Sequence, residues 1–245
     1  MTAVSQSVRA RFGLIIPSSN RLAEPHAWAY APEGVVPHTT RLRMTGPHAM
    51  PQEQLMPKVE AAAAMLSDAQ CDPIVFHCTA NSMADGLAGE TRITQAIAKA
   101  TGRQAVTTAS ATMAALNALQ ARRIVLVSPY TRKPHEHEIE FMEEAGIEIV
   151  GEKNFELAGS DAYCSTPGPF WLEAAAQVKN ESADAYFFSC ANIRATEVIP
   201  ELEALLGRPV ITSNQVIIWQ SLRLAGIGDA VPALGRLGIA EAKSA

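Results

Sequence analysis

The chain contains two segments of one shape, DPIVFHCTANSM at 72–83 and DAYFFSCANIRA at 184–195, each setting an aspartate six residues before a cysteine. Cys190 follows Cys78 by 112 residues. The same offset lays Arg11 of RFGLIIPS on Arg123 of RIVLVSPY, Pro17 on Pro129, the alanines at 61–64 on Glu-Ala-Ala-Ala at 173–176, and Asp72 on Asp184. Past the cysteines the offset becomes 105, where GRQAVTT from Gly102 matches GRPVITS from Gly207. A period this long marks a duplicated lobe, because solenoid repeats recur every roughly 20–50 residues. The chain must therefore fold as two copies of one unit.

Within each copy, short apolar runs rich in β-branched residues alternate with longer stretches of helical periodicity. Strands are predicted near 12–16, 35–42, 73–77, 104–107, 123–128, 147–150, 184–189 and 209–212. Helices are predicted at 51–69, 84–100, 110–120, 134–145, 171–181, 194–206 and 214–225. Such alternation implies parallel sheets covered on both faces. The expected fold class is α/β, with two pseudo-symmetric lobes, each a parallel four-stranded sheet flanked by helices, and an active site in the cleft between them. Residues 1–118 are expected to form the first lobe and 119–213 the second, with 214–245 packing back on the first.

Ligands of open parallel sheets sit beyond the carboxyl ends of the strands. Cys78 and Cys190 both fall at that edge, each expected at the start of a helix, where free N–H groups and a partial positive charge lower a thiol's pKa and attract carboxylates. Two facing lobes bring two activatable thiols to one cavity.

Composition narrows the partners. With 48% apolar and 18% charged residues and a formal net charge of −5, the chain has no basic stripe for nucleic acid and none for an anionic membrane surface. The apolar run FGLII before Pro17 is shorter than the roughly 7–15 residues of a signal peptide, and no stretch reaches the 18 or so apolar residues of a membrane span. A cytoplasmic protein is expected, its four cysteines free thiols in a reducing compartment.

PSSN at 17–20, EGVVPHTTRLRM at 33–44, HCTANS at 77–82, SPY at 128–130, SCANIRA at 189–195 and TSNQVIIWQSLRLAGI at 212–227 cover nearly the whole chain. In these motifs the sequence resembles the aspartate/glutamate racemase superfamily, most of all its maleate cis–trans isomerase branch, with arylmalonate decarboxylase as a relative. That decarboxylase carries glycine at the position of Cys78, and glutamate racemases a GCTH-like second motif that SCANIR does not match. The resemblance implies a cofactor-independent isomerase of a small unsaturated dicarboxylate, of the maleate-to-fumarate type, with no metal. Cys78 is implied as the catalytic nucleophile, and Cys190 as the acid or base that manages the proton on the neighbouring carbon. Substrate carboxylates and the enediolate charge are expected to meet Ser18, Asn20, Thr79, Ala80, Tyr130, Ala191 and Asn192. By analogy with the relatives, a homodimer is a candidate assembly. The family pattern has an asparagine between the sixth strand and its helix, whereas this chain reads LAGSDAYCSTPGPFW at 157–171. A related unsaturated diacid or a larger malonate therefore stays open as substrate.

Other residues have plainer readings. Cys71 ends a helical alanine run and reads as core, and Cys164 as a surface thiol. His77, preceding Cys78, reads as a packed, hydrogen-bonded histidine on the other face of the sheet. His135 and His137, two apart, do not share a helix face and read as a solvated first turn rather than a metal site. Asn20 and the serines before it could equally cap a helix. A two-base racemase or a malonate-type decarboxylase, and a non-catalytic small-acid binder, are the competing function classes.

Overall fold

The computed structural model describes residues 7–44 and 50–241, so the last four residues of the segment expected to fold back, 242–245, lie outside the described part. The first copy runs β1 (Ala10–Pro17), α1 (Ala23–Tyr30), β2 (Val35–Leu42), α2 (Gln52–Asp68), β3 (Ile74–Phe76), α3 (Thr79–Met83), α4 (Gly86–Thr101), β4 (Ala105–Thr107) and α5 (Thr108–Ala118). The second runs β5 (Arg123–Ser128), α6 (Arg132–Glu144), β6 (Glu148–Asn154), α7 (Gly159–Ser165), α8 (Gly168–Gln177) and β7 (Ala185–Phe188). A 3-10 turn at Arg194–Val198 then leads to α9 (Ile199–Leu206), β8 (Val210–Thr212), α10 (Ser213–Leu224), a second such turn at Pro232–Leu234, and α11 (Gly235–Gly238).

The strands pair into two parallel four-stranded sheets of equivalent order, β2-β1-β3-β4 and β6-β5-β7-β8. The duplication reaches individual hydrogen bonds. Asp72 N–H donates to Arg11 O as Asp184 N–H does to Arg123 O, and His77 N–H donates to Ile15 O as Ser189 N–H does to Val127 O. In both copies the helix after the last strand opens with a capping box, Thr107 with Ser110 and Thr212 with Gln215.

Strand alternation sorts the core into layers. Leu14, Ile16, Leu126, Phe187 and Ile211 face a central layer shared by both sheets, which also takes Trp219 and Leu222 of α10. Ile15, Ile74 and Phe76 face outward onto Leu55 and Val59 of α2, and Val125, Tyr186 and Phe188 onto Trp171 of α8. Cys71 is fully buried in the outer layer of the first sheet. Although α10 follows the last strand of the second sheet, it packs against α5 and α1 of the first. No helix among the described residues is long and apolar enough to cross a membrane.

The elements differ from expectation where local chemistry interrupts periodicity. The helix predicted at 84–100 is preceded by α3 and starts only at Gly86, whose φ of +62° breaks the run. The stretch 194–206 starts as a 3-10 turn and becomes α-helical at Ile199, with Pro200 in the first turn. The sequence reading passed over α1, whose AEPHAWAY has no clear polar face, and α7, which has no buried residue.

Gly102 and Gly207 end α4 and α9 at φ near +67° with open space around them. Replacing either by alanine is expected to cost about 1 kcal/mol, additively, from backbone strain alone. Gly13→Ala is expected to cost more, about 1–3 kcal/mol, because its Cβ would lie 2.9 Å from Leu66 Cδ1. Urea unfolding of the three single variants and the Gly102/Gly207 double variant checks this order.

Candidate active site

The carboxyl ends of both sheets open on one cavity of about 980 Å³. Asn20, Cys78, Thr79, Ala80, Tyr130, Cys190, Ala191 and Asn192 line it; Ser18 does not. Ser18 is exposed, because its N–H prolongs the β1–β2 pairing to Leu42 O and leaves Ser19 to face the cavity.

Cys78 is the N-cap residue of α3. The Asn81 amide donates to its sulfur at 3.4 Å, while Asn81 Oδ1 takes the N–H of Met50 at 2.8 Å. The first-turn N–H groups of Thr79 and Ala80 have no acceptor within the helix and border the cavity. The Thr79 hydroxyl is committed elsewhere, donating to Ser213 Oγ at 2.9 Å.

Cys190 adopts φ +119°, a conformation unfavourable to any residue but glycine. Its N–H donates to the same Ser213 Oγ at 3.0 Å. The Asn192 N–H reaches its sulfur at 3.4 Å, and Tyr130 packs with it in one buried cluster. Tyr130 is held by Tyr163, edge-on at 5.8 Å, and by its N–H to Ser128 Oγ at 3.3 Å.

Two asparagines clasp the lobes. Asn20 Nδ2 donates to Ala191 O at 2.9 Å while its Oδ1 accepts the Leu22 and Ala23 N–H groups that open α1, so the helix-cap reading and the cleft reading both describe it. Asn192 Oδ1 accepts the N–H of Arg21 at 2.9 Å and Nδ2 donates to Ser160 O at 3.1 Å. The Asn192 side chain is thus engaged by protein, and its backbone N–H faces the sulfur.

Cys78 opens a helix as expected, whereas Cys190 does not, and at both sulfurs burial works against ionisation. Burial pushes the Cys78 thiol up, against hydrogen bonds from Asn81. Burial likewise pushes Cys190 up to about 12, against Tyr130 and the N–H of Asn192. At both sulfurs burial outweighs the hydrogen bonds received; α3, which Cys78 caps, is a single turn, and Cys190 leads into an irregular turn rather than a helix.

His77 is fully buried, with Nδ1 2.9 Å from Thr108 Oγ1 and Nε2 2.7 Å from Asn214 Oδ1. Burial lowers its pKa to about 4, so it stays neutral. His135 is not in a solvated turn: it is buried, with Nδ1 2.8 Å from Ser128 Oγ and Nε2 2.7 Å from Glu152 Oε2. This Ser-His-Glu chain supports the strand end that carries Tyr130, since the serine is itself fully buried. Cys164, half-buried on α7, is not among the residues lining the cavity. Among the described residues no group of three or more His, Cys, Asp or Glu could hold a metal ion.

Sequence reasoning passed over Asn81, Ser213, Ser160 and Tyr163. Asn81 had a usable signal, its i+3 spacing from Cys78 at a helix start. Ser213 became a site residue only through the meeting of the two lobes.

Because Cys190 carries φ +119°, Cys190→Gly is expected to be more stable than Cys190→Ala by about 1 kcal/mol. Thermal unfolding of the two variants decides it, and equal stability would show that the backbone there is unstrained.

The sequence profile described as arylmalonate decarboxylase matches residues 12–238. The chain is 30% identical over 240 residues to a maleate isomerase of Nocardia farcinica, covering 93% of this chain and 94% of that protein. It is 29% identical over 162 residues to the arylmalonate decarboxylase of Bordetella bronchiseptica, covering 65% and 68%. Among solved structures, a variant of the Nocardia farcinica maleate cis–trans isomerase with a covalently bound succinylcysteine intermediate superposes with a TM-score of 0.85 at 26% identity, over 94% of this chain and 98% of that one.

Proposed function

The chain belongs to the arylmalonate decarboxylase family, and within that family we propose that it is a cofactor-independent cis–trans isomerase of a small unsaturated dicarboxylate, working through an adduct on Cys78. The observation that carries the reading is the pair of equivalent cysteines lining one cavity from two sheets. The succinylcysteine in the Nocardia farcinica variant supports it, since that group is what thiol addition to a four-carbon unsaturated diacid leaves behind.

The reaction starts from Cys78 as thiolate and Cys190 as thiol. The sulfur of Cys78 adds to one olefinic carbon, and the π pair moves through the neighbouring carbon onto its carboxylate as an enediolate. The first-turn N–H groups of Thr79 and Ala80, the Tyr130 hydroxyl and the N–H groups near Ala191 and Asn192 stabilise that charge. Cys190 delivers its proton to the neighbouring carbon and becomes the thiolate. The former double bond is now single and rotates. Cys190 then removes a proton from the same carbon, the C–S bond breaks, and the trans diacid leaves with Cys78 again as thiolate. One negative charge passes from sulfur to sulfur and back, and no electrons are gained or lost.

Where the family pattern has its second-lobe asparagine, Ser160 and Tyr163 line the cavity. Ser160, whose hydroxyl lies 3.1 Å from that of Ser19, is proposed as the replacement carboxylate contact. The volume of about 980 Å³ lies at the upper end of the range for small-molecule sites. It favours, as second reading, a substituted diacid or a disubstituted malonate over the smallest substrate. We also infer the partition into 1–118 and 119–213 with a returning tail, supported by the packing of α10 on α5 and α1.

Incubation in D2O with maleate, followed by proton NMR, is expected to yield fumarate without carbon dioxide. Cys78→Ala is expected to lose turnover by at least about 1,000-fold. Cys190→Ser is expected to accumulate a succinyl adduct on the Cys78 peptide. Carbon dioxide from an arylmalonate would instead establish the decarboxylase reading, and full activity in Cys78→Ala would remove the nucleophile assignment.

A further inference from the structure

Glu138 is a buried acid that the reaction above leaves unused. It lies on α6, fully buried, where Ser189 Oγ donates to its Oε1 at 2.6 Å and its Oε2 has no partner among the described residues. Ser189 immediately precedes Cys190, so the strand end that aims the thiol at the cavity aims this hydroxyl at α6. Across the lobe boundary α6 packs on α3, the helix that Cys78 caps.

The groups that feel the charge of Glu138 are themselves acids: Cys78, Tyr130, Tyr163 and Cys190. The other charged groups on the helices and strand packed against α6 are turned elsewhere. On α4, Glu90 accepts from Thr107, Arg92 donates to Gln52, and Lys99 is exposed. On β6, Glu152 binds His135 and Arg132, Lys153 lies over the Phe155 ring, and Glu148 is exposed. Burial raises the Glu138 carboxyl to about 8, opposed only by the Ser189 hydrogen bond.

The duplication supplies a second observation. The 112-residue offset lays Glu138 on His26 of α1. His26 Nδ1 is 2.7 Å from Asn214 Nδ2, and Asn214 Oδ1 is 2.7 Å from Nε2 of His77, the residue before Cys78. Each thiol is thus backed, through its preceding residue, by an ionisable group at the same place in the repeat. In the first lobe that group is a base, and in the second it is an acid.

We propose that Glu138 is a positioning residue of the thiol pair: its carboxyl, fixed by Ser189 behind Cys190, competes with the sulfurs for the one negative charge the site holds and keeps Cys190 the proton carrier. The meaning of that role rests on the isomerase reading, but the charge competition needs no substrate.

The test is alkylation of Cys190 in the full chain by iodoacetamide, followed by peptide mass spectrometry, in wild type and Glu138→Gln. The amide keeps the shape and an acceptor for Ser189 while removing the charge. At pH 9, where the wild-type carboxyl is ionised, the variant is expected to react about tenfold faster, one pH unit of thiol ionisation. At pH 6, where the carboxyl is protonated, the two rates should agree. A rate ratio that is the same at both pH values overturns the proposal. If the amide does not fold, Glu138→Met applies the same test with an apolar side chain of similar length. Where maleate is turned over, the kcat profile of the variant moves to lower pH; a uniform loss of kcat with no shift would also overturn the role. The expected alkylation change in a protein that isomerises no unsaturated diacid leaves Glu138 as assigned and removes the isomerase reading instead.

Discussion

Two lobes meet at the hydroxyl of Ser213. It accepts one hydrogen bond from the Thr79 hydroxyl, beside the first thiol, and one from the N–H of Cys190 itself. Neither donor has a partner within its own sheet at that point, so the relative placement of the sulfurs depends on a residue that belongs to neither strand end. Ser213 can hold this place because Thr212 and Gln215 fix the first turn of α10 by a capping box and because α10 is buried along nearly its whole length between the sheets. Losing that hydroxyl would orphan two buried donors at once, a cost of about 1–3 kcal/mol for each, where the spacing of the two sulfurs is set.

Around this joint the copies keep the hydrogen bonds of their strands and diverge in their charged residues and in the backbone at the cysteines. The equivalent hydrogen bonds at Asp72 and Asp184, and at His77 and Ser189, keep both strands in register as far as the residue before each cysteine, where the backbones part: Cys78 stays extended and Cys190 turns to φ +119°. The side chains that follow differ: Cys78 is touched by an asparagine amide, Cys190 by a backbone N–H within the cluster that holds Tyr130. An exact twofold site would bind a symmetric diacid equally in two directions and give both sulfurs one pKa. Unequal surroundings suit the proposed division of roles, in which one sulfur attacks while the other holds a proton.

Much of the architecture was legible in the sequence because periodicity and duplication are local or pairwise signals. All eight strands fall within a few residues of their predicted positions, and the offset that relates Cys78 to Cys190 also relates their sheets. The site was legible only as far as the motifs around the cysteines. Burial was not: whether a thiol at a strand end meets a helix dipole or an apolar wall depends on α3 being one turn long and on the left-handed backbone of Cys190. His135, read with His137 of KPHEHEIE as part of a solvated first turn, is buried, as is Glu138, because α6 turns that face toward β6 and the first lobe. Ser18 was placed one residue off, since the turn after β1 alternates which serine meets the cavity.

The raised pKa values of the two thiols fit the proposed addition chemistry better than lowered ones would. A thiolate's intrinsic nucleophilicity grows with the pKa of its conjugate acid, and a sulfur that has lost its water shell meets the olefinic carbon with no hydration shell left to shed. The cost is that thiolate is scarce in the free site, where Cys190 holds its proton up to about 12. Moving a single charge from one buried sulfur to another keeps that cost constant through the cycle, because the site is never asked to hold two. A buried carboxyl beside the pair competes for that same single charge: desolvation keeps Glu138 protonated below about pH 8, and once ionised it holds the protons on the sulfurs more firmly. Burial thus acts on all three acids in the same direction and leaves their order of ionisation, rather than any one value, to decide where the reacting electron pair resides.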